Sequence, residues 1–368
     1  MNIDISIAHT FQEDSMQKPD LLPGIKNRMI ITKQLEQNVY FSGEESQIPV
    51  VFLHGNFSAA LYWEETMLAL PDDFRGIAPD LSGYGWTEDK IADSTRGMRD
   101  WSDDLAALLD ALEIEAAHFV GWSMGAGILY RFIIDHAPRV LSATLICPVI
   151  PHGFGGSKGA DGQPCYVDFA GSGGGVVNQD FIKLIKAGDR SADDPNSPRN
   201  VINGFYYKPP FRAKREEDFL TASLAEKIGD NRYPGDFVTS ENWPNVAPGV
   251  FGPVNSWSPK YIGGDAAELI GVRQKPPILW VRGDADMIVS DNSMFDLGAL
   301  GSLGYVPGWP GMDIYPPQPM ITQTRAVFDA YAEAGGDYSE HVIEDAAHGV
   351  FIEKPDDFNT LFHAFLRQ

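Results

Sequence analysis

The chain has 368 residues, of which 43% are hydrophobic and 21% are charged, and these proportions are typical of a folded globular protein. A formal net charge of −23 disfavours nucleic acid and anionic membrane surfaces as partners, because both would repel the chain. The two cysteines make no disulfide framework, and Cys147, within the apolar run ATLICPVI, is expected to be a small core residue.

Strand-like and helix-like segments alternate through the first part of the chain. The first 20 residues lack a basic region followed by an apolar stretch, so we predict no signal peptide. The sequence has no run of 18 or more apolar residues, so we predict no membrane span and a cytoplasmic location. Leucines at helical spacing predict an amphipathic helix over Met98–Leu112, and a second helix is predicted from Ala126. Strands are predicted at RMIITKQL, NVYFSG, IPVVFLHG, FRGIAPDL, AAHFVGW and LSATLICP. The near-continuous apolar runs IPVVFLHG and FRGIAPDL are expected to be covered on both faces.

The alternation stops at about residue 150 and returns at about residue 273. The intervening stretch is rich in Gly, Pro, Asn and Trp and contains only short helical pieces. Strands and helices then resume as PPILWVRGD, ITQTRAVFDAYAEAG, SEHVIED and DDFNTLFHAFL. We therefore predict a mostly parallel, eight-stranded α/β core formed by residues 1–149 and 273–368, with a large cap inserted at 150–272.

A G-x-S-x-G motif, Gly121-Trp122-Ser123-Met124-Gly125, lies where a predicted strand meets a predicted helix. Glycines on both sides of the serine permit a sharp turn that lifts its hydroxyl above the sheet edge. Ser123 is therefore the predicted nucleophile. The N–H of Met124, at the start of the helix, is a predicted oxyanion donor.

A serine nucleophile needs a base and an orienting carboxylate. His348 follows the last predicted strand, which places it at the same sheet edge as Ser123 and makes it the preferred base. Asp284 and Asp286 both follow the strand PPILWVRGD, and either could orient the imidazole. The candidate bases in the sequence are His9, His54, His118, His136, His152, His341, His348 and His363.

The loop after the strand IPVVFL supplies a second candidate oxyanion donor. Its sequence is His54-Gly55-Asn56-Phe57, and the N–H of Asn56, or less favourably that of Phe57, could join Met124. Trp122, Phe57 and Met287 are candidate substrate-pocket residues. Aromatic residues of the insertion are expected to pack its core or to line an apolar pocket: Phe205, Tyr206, Tyr207, Trp243, Phe251 and Trp257.

The segments HGNFSAALYW, DLSGYGWTE, GWSMG, GDAD and AHGVFIEKPDDF together resemble the α/β-hydrolase fold superfamily, near its capped serine esterase and lactonase branch. This resemblance implies Asp286 as the acid, three residues after Gly283, and Asn56 as the oxyanion donor. The HGNFSAALYW loop also resembles that of haloalkane dehalogenases. Those enzymes use an aspartate nucleophile, whereas Ser123 implies an acyl-serine route.

The expected activity is hydrolysis of a carboxylic ester or lactone of a small hydrophobic molecule, without a cofactor. The segment GDADMIVSD contains spaced aspartates, but it lacks the glycine and the terminal glutamate of a calcium-binding loop. No metal site is therefore predicted. Carbon–carbon bond hydrolysis, lyase or perhydrolase chemistry with the same triad stays open. A small-molecule receptor on the same fold also stays open.

Overall fold

The computed structural model describes residues 17–368. His9 and residues 1–16 of the predicted first core segment lie outside the described residues, as does most of the stretch on which the signal-peptide prediction rests. Among residues 17–368, no helix combines the length and the apolarity that a bilayer crossing requires.

Eight strands form one sheet in the spatial order β1-β2-β4-β3-β5-β6-β7-β8. Strand β2 pairs antiparallel with β1 and with β4, and the remaining pairs are parallel. The predicted mostly parallel, eight-stranded α/β sheet is therefore confirmed. The strands are β1 Lys26–Ile31, β2 Glu36–Phe41, β3 Ile48–Leu53, β4 Phe74–Pro79, β5 Ala117–Trp122, β6 Val140–Ile146, β7 Ile278–Gly283 and β8 Tyr338–Ile343.

The central strands have continuous apolar sequences because the layers around them exclude water. Residues 50–53 of β3 have no solvent exposure, and β5 and β6 are buried along most of their length. Thirteen α-helices are described among residues 17–368: α1 Glu64–Leu68, α2 Arg99–Ala111, α3 Met124–His136, α4 Gln179–Lys186, α5 Pro198–Val201, α6 Glu216–Leu224, α7 Pro253–Ser256, α8 Pro259–Ile262, α9 Asp265–Gly271, α10 Leu297–Ser302, α11 Met320–Glu333, α12 Val350–Glu353 and α13 Pro355–Leu366.

Helix α3 begins at Met124, two residues before the start predicted from the sequence. The shift arises because Ser123 alone makes the turn, so the chain enters the helix directly after it. Helix α2 differs from its predicted range by one residue at each end. Both changes lie within the usual uncertainty of helix ends.

The chain between β6 and β7 contains α4 to α9 and three short strand pairs. A π-helical turn at Ile202–Tyr206 follows α5 directly. Helix α9 packs against α3 and α11, and Arg131 of α3 pairs with Asp265 at its start. This last helix of the interval therefore belongs to the layer of helices that flanks the sheet.

Candidate active site

Ser123 occupies a strained turn between β5 and α3. Its backbone torsions are φ 55° and ψ −115°, a conformation that non-glycine residues rarely adopt and that costs about 1–3 kcal/mol. A Cβ on Gly125 would lie 2.4 Å from the Leu53 carbonyl oxygen, and a Cβ on Gly121 would lie 2.7 Å from the Ala126 nitrogen. Glycine is therefore required on both sides of the serine, as the G-x-S-x-G motif predicts.

The backbone of this turn is fixed to the end of the neighbouring strand. The Ser123 N–H donates to the Ile146 carbonyl at 2.9 Å, and the Val149 N–H donates to the Ser123 carbonyl at 3.1 Å. Ser123 is partly exposed, whereas Trp122 and Met124 on either side are buried. These contacts hold the turn at the carboxyl ends of the strands, the usual position for ligand binding in sheets of this type.

His348 and Asp286 meet at the same sheet edge. The His348 Nδ1 lies 2.9 Å from the Asp286 Oδ2, and both side chains are 2% exposed. The other carboxylate oxygen accepts the N–H groups of Ile288 at 2.8 Å and Val289 at 3.1 Å. With Nδ1–H directed at a fixed carboxylate, the imidazole Nε2 keeps a free lone pair with which to accept a proton.

Asp284, the other aspartate that the sequence left open, has a different role. Its side chain is exposed, and its Oδ1 accepts the N–H of Asp345 at 2.8 Å in the loop after β8. It caps that loop and has no contact with His348 among the described residues. Of the two candidates, the structure therefore pairs Asp286 with the histidine.

The loop that carries His348 is held from three sides. The Trp122 Nε1 donates to the His348 carbonyl at 2.9 Å, and the two rings lie 5.5 Å apart. The Gly349 N–H donates to the Tyr206 carbonyl at 2.7 Å, while Glu353 accepts the N–H of Ala347 at 2.6 Å. These bonds position the imidazole through its backbone.

No hydrogen bond joins the Ser123 hydroxyl to His348 within residues 17–368. Hydrogen bonds of this kind are often long in unliganded enzymes and shorten when the substrate is bound. The aspartate–histidine half of the predicted triad is thus in contact, and the serine–histidine half stays a prediction.

The predicted oxyanion loop packs directly on the serine turn. A Cβ on Gly55 would lie 3.1 Å from the Ser123 Cβ, so the two loops touch at this glycine. The Tyr84 hydroxyl lies 3.0 Å from the Asn56 Oδ1 and 3.3 Å from the Met124 Sδ. Among the described residues, neither the Asn56 N–H nor the Met124 N–H has a hydrogen-bond acceptor, so both are free to bind an oxyanion.

Comparison with known proteins agrees with the observed fold. A family model described as the alpha/beta hydrolase fold matches residues 48–162, the region that contains the oxyanion loop and the serine turn. The chain has the α/β-hydrolase fold. A solved carboxylesterase, CesB from Bacillus subtilis, shares the fold, with a TM-score of 0.57 at 14% identity over 93% of this chain and 91% of its own.

Two curated relatives match shorter stretches of this α/β-hydrolase. One, a 2-hydroxymuconate semialdehyde hydrolase from Pseudomonas sp. (strain CF600), is 35% identical over 36% of this chain and 46% of its own length. Another, an uncharacterized carboxylesterase nap from Bacillus subtilis (strain 168), is 27% identical over 50% of this chain and 63% of its own length. The chain therefore spans about half the length of these curated relatives.

His54 of this α/β-hydrolase has a structural role in the oxyanion loop. Its Nδ1 contacts the Gly55 carbonyl at 2.8 Å, and its Nε2 accepts the Leu81 N–H at 3.0 Å. This arrangement defines the neutral tautomer, with the proton on Nδ1. Complete burial lowers the pKa of His54 to about 4, so the ring stays uncharged near neutral pH.

The predicted pocket residues lie in three different environments. Trp122 and Phe57 are buried, with Trp122 against the His348 loop and Phe57 5.0 Å, ring to ring, from Phe181 of α4. Met287, directly after the acid, is 37% exposed. Their contact with a substrate stays a prediction.

Sequence reasoning missed Tyr84 as a contact of this site, and it gave Cys147 and Tyr206 only general roles in the core or an apolar pocket. Cys147 is predicted to be a core residue, and it is buried. Its sulfur also lies within 4.8 Å of a carboxylate oxygen of Asp286 and of a ring nitrogen of His348. Burial raises the pKa of this thiol well above its ordinary value, which keeps it protonated. Tyr84 lies in DLSGYGWTE, a segment that carries the family resemblance, and Tyr206 lies in the insertion. Only their contacts with the predicted oxyanion loop distinguish them from other buried tyrosines.

Proposed function

We propose that this α/β-hydrolase hydrolyses a carboxylic ester or lactone of a small hydrophobic molecule through an acyl-serine intermediate. The observation that carries the proposal is the buried Asp286–His348 contact at the sheet edge where Ser123 makes its strained turn. The carboxylesterase fold neighbour supports the same class of reaction.

In the first step, the His348 Nε2 takes the proton of the Ser123 hydroxyl as its oxygen attacks the substrate carbonyl carbon. The imidazolium that forms is stabilised by the Asp286 carboxylate, which also holds the ring in the required tautomer. The carbonyl π electrons move onto oxygen, and the resulting oxyanion is bound by the N–H groups of Asn56 and Met124. Each donor contributes about 3 kcal/mol to lowering the barrier.

The tetrahedral intermediate then collapses. The carbonyl re-forms, the bond to the alcohol oxygen breaks, and His348 gives its proton to the leaving alcohol. A water molecule repeats the sequence on the acyl-serine, with His348 again as the base, and releases the carboxylic acid together with the free Ser123 hydroxyl.

The proposal includes the cap and the cellular setting. Within the predicted insertion 150–272, the part that precedes α9 acts as a cap, because Tyr206 and Ser223 from this part reach across to the carbonyls of the predicted oxyanion loop. The protein acts in the cytoplasm on a small molecule, with no metal or organic cofactor in the reaction.

Replacement of the nucleophile tests the proposal. Ser123→Ala is expected to lower kcat for 4-nitrophenyl butanoate by at least about 10³-fold while thermal unfolding stays cooperative. The control is Ser46→Ala. Ser46 is exposed and precedes β3, whereas His54 and the predicted oxyanion loop follow the other end of that strand. Turnover of Ser123→Ala at the wild-type rate would exclude the acyl-serine route.

A second candidate is hydrolysis of a carbon–carbon bond. The match to a 2-hydroxymuconate semialdehyde hydrolase favours it, since the aligned region is 35% identical. Loss of the absorbance of 2-hydroxymuconate semialdehyde, measured beside 4-nitrophenyl ester hydrolysis, separates the two. A kcat/KM at least about tenfold higher for the ester supports the esterase proposal, and the reverse ratio supports the carbon–carbon hydrolase.

A further inference from the structure

The peptide planes on both sides of Asn56 are fixed through their carbonyl oxygens. The Gly55 carbonyl oxygen lies 2.8 Å from both the His54 Nδ1 and the Ser58 hydroxyl, which are close to it in the chain. The Asn56 carbonyl accepts the Tyr206 hydroxyl at 2.7 Å, from the chain between β6 and β7. A trans peptide bond directs its N–H away from its C=O, so the partners of Gly55 set the direction of the Asn56 N–H. Tyr206 fixes the plane on the other side of the same residue.

Phe57, the next residue, has a strained backbone that needs support. Its φ is 46°, in the left-handed region that non-glycine residues seldom occupy, and its side chain is 1% exposed. Its carbonyl accepts the Ser223 hydroxyl at 2.9 Å and lies 3.1 Å from the Tyr206 hydroxyl. The second half of the predicted oxyanion loop is therefore held by two hydroxyl groups from the proposed cap.

Tyr206 also holds the loop that carries the proposed base. It is the last residue of the π-helical turn, and the last carbonyl groups of a helix have no donor within it. Its carbonyl accepts the Gly349 N–H at 2.7 Å, and Gly349 directly follows His348. Its ring is 6% exposed and lies 5.2 Å from the Trp122 ring and 6.1 Å from the His348 ring. One residue thus contacts the loop of the oxyanion donor and the loop of the base.

We infer that Tyr206 is a positioning residue, whose hydroxyl holds the proposed oxyanion donor in place while its carbonyl holds the His348 loop. The inference rests on the proposed function, and it gives the chain between β6 and β7 a part in catalysis beyond covering the substrate. The oxyanion forms only after the serine attacks, so a misplaced donor weakens binding of the transition state more than binding of the substrate. Loss of the hydroxyl should therefore lower kcat rather than raise KM.

Tyr206→Phe removes the hydroxyl and keeps the ring and the carbonyl. For 4-nitrophenyl butanoate, kcat is expected to fall about tenfold or more, with KM within about twofold of the wild-type value. The control is Tyr331→Phe. The Tyr331 hydroxyl is buried and donates to the Pro276 carbonyl at 2.7 Å, before the start of β7 and so at the opposite edge of the sheet. Both variants lose the same kind of bond, and an equal loss of kcat in the two would overturn the inference.

Two further readouts distinguish positioning from a general loss of stability. The trifluoromethyl ketone 1,1,1-trifluoro-2-hexanone forms a tetrahedral oxyanion with a reactive serine, so Tyr206→Phe should weaken its binding by the same factor as kcat/KM. The pH dependence of kcat/KM should match that of the wild type, because the Gly349 bond and the Asp286–His348 contact are retained. An unchanged affinity for the ketone, or a shifted pH profile, would refute an action of the hydroxyl on the oxyanion donor.

Hydrogen exchange separates this inference from the proposed function, because it needs no substrate. In Tyr206→Phe, amide exchange is expected to accelerate at least about tenfold in peptides that cover residues 54–59 and to keep the wild-type rate in those that cover residues 345–353. If the wild-type protein turns over no ester, the proposed function fails by itself. Unchanged exchange in residues 54–59, or equal acceleration in both loops, would show that the hydroxyl does not hold the predicted oxyanion loop.

Discussion

Replacement of Asp286 by Asn tests the proposed relay most sharply. In the native site, Oδ1 accepts two backbone N–H groups, from Ile288 and Val289, while Oδ2 accepts the His348 Nδ1–H. An asparagine keeps the two backbone bonds only with its oxygen at the Oδ1 position. Its NH2 group then lies where Oδ2 was, 2.9 Å from Nδ1.

A donor at that position forces the imidazole into the other tautomer. Nδ1 becomes the acceptor and Nε2 carries the proton, so the ring cannot take the proton of Ser123. We expect kcat to fall by about 10³–10⁴-fold, equivalent to about 4–5.5 kcal/mol in the barrier. The fold should be retained because the hydrogen bonds that hold residue 286 are kept.

The assay is kcat and KM for 4-nitrophenyl butanoate, with thermal unfolding measured on the same preparations. The matched control is Asp284→Asn, an aspartate of the same loop that caps the Asp345 N–H and has no contact with His348 among the described residues. It is expected to stay within about twofold of the wild-type kcat. A kcat for Asp286→Asn above a tenth of the wild-type value, or an equal loss in Asp284→Asn, would refute the reasoning.

Two other predictions concern the oxyanion loop. Tyr84→Phe removes the hydroxyl that contacts the side chains of both proposed oxyanion residues, and it is expected to lower kcat about tenfold with little change in KM. Tyr130→Phe is the control, because the Tyr130 hydroxyl is buried without a hydrogen-bond partner among residues 17–368. An equal loss of kcat in the two variants would contradict a positioning role for Tyr84. His54, with a pKa lowered to about 4, stays neutral in the fold while the unfolded chain binds a proton near pH 6.5. His54 should therefore contribute a decrease of about 3 kcal/mol to the free energy of unfolding as the pH falls from 6.5 to 4. Urea denaturation over this pH range measures that contribution as the difference between wild type and His54→Gln, and the same pH dependence in both proteins would contradict the assignment.

Tyr206 links the two loops on which the proposed chemistry depends. Its carbonyl accepts the N–H of Gly349 in the His348 loop, and its hydroxyl contacts the carbonyls of Asn56 and Phe57 at 2.7 and 3.1 Å. It is the last residue of a π-helical turn, a form that is rare and often found at functional sites. A movement of the proposed cap would therefore act on the base and on the oxyanion loop together.

Short-range constraints in the sequence determined the sheet and the serine turn. Apolar runs identify buried strands because strands covered on both faces lose their alternation, and Gly121 and Gly125 identify the turn because a Cβ at either position would clash with nearby backbone. Such constraints act over a few residues, so they can be read from the chain directly.

Only the tertiary structure decided which distant side chains meet. Asp284 and Asp286 follow the same strand, and the family resemblance already favoured Asp286. Only the packing, however, brings its carboxylate to a histidine 62 residues away. Tyr206 reaches Asn56 across 150 residues, and Trp122 supports the His348 loop across 226. No local pattern marks these contacts, because they depend on how the segment between β6 and β7 folds back over the sheet edge.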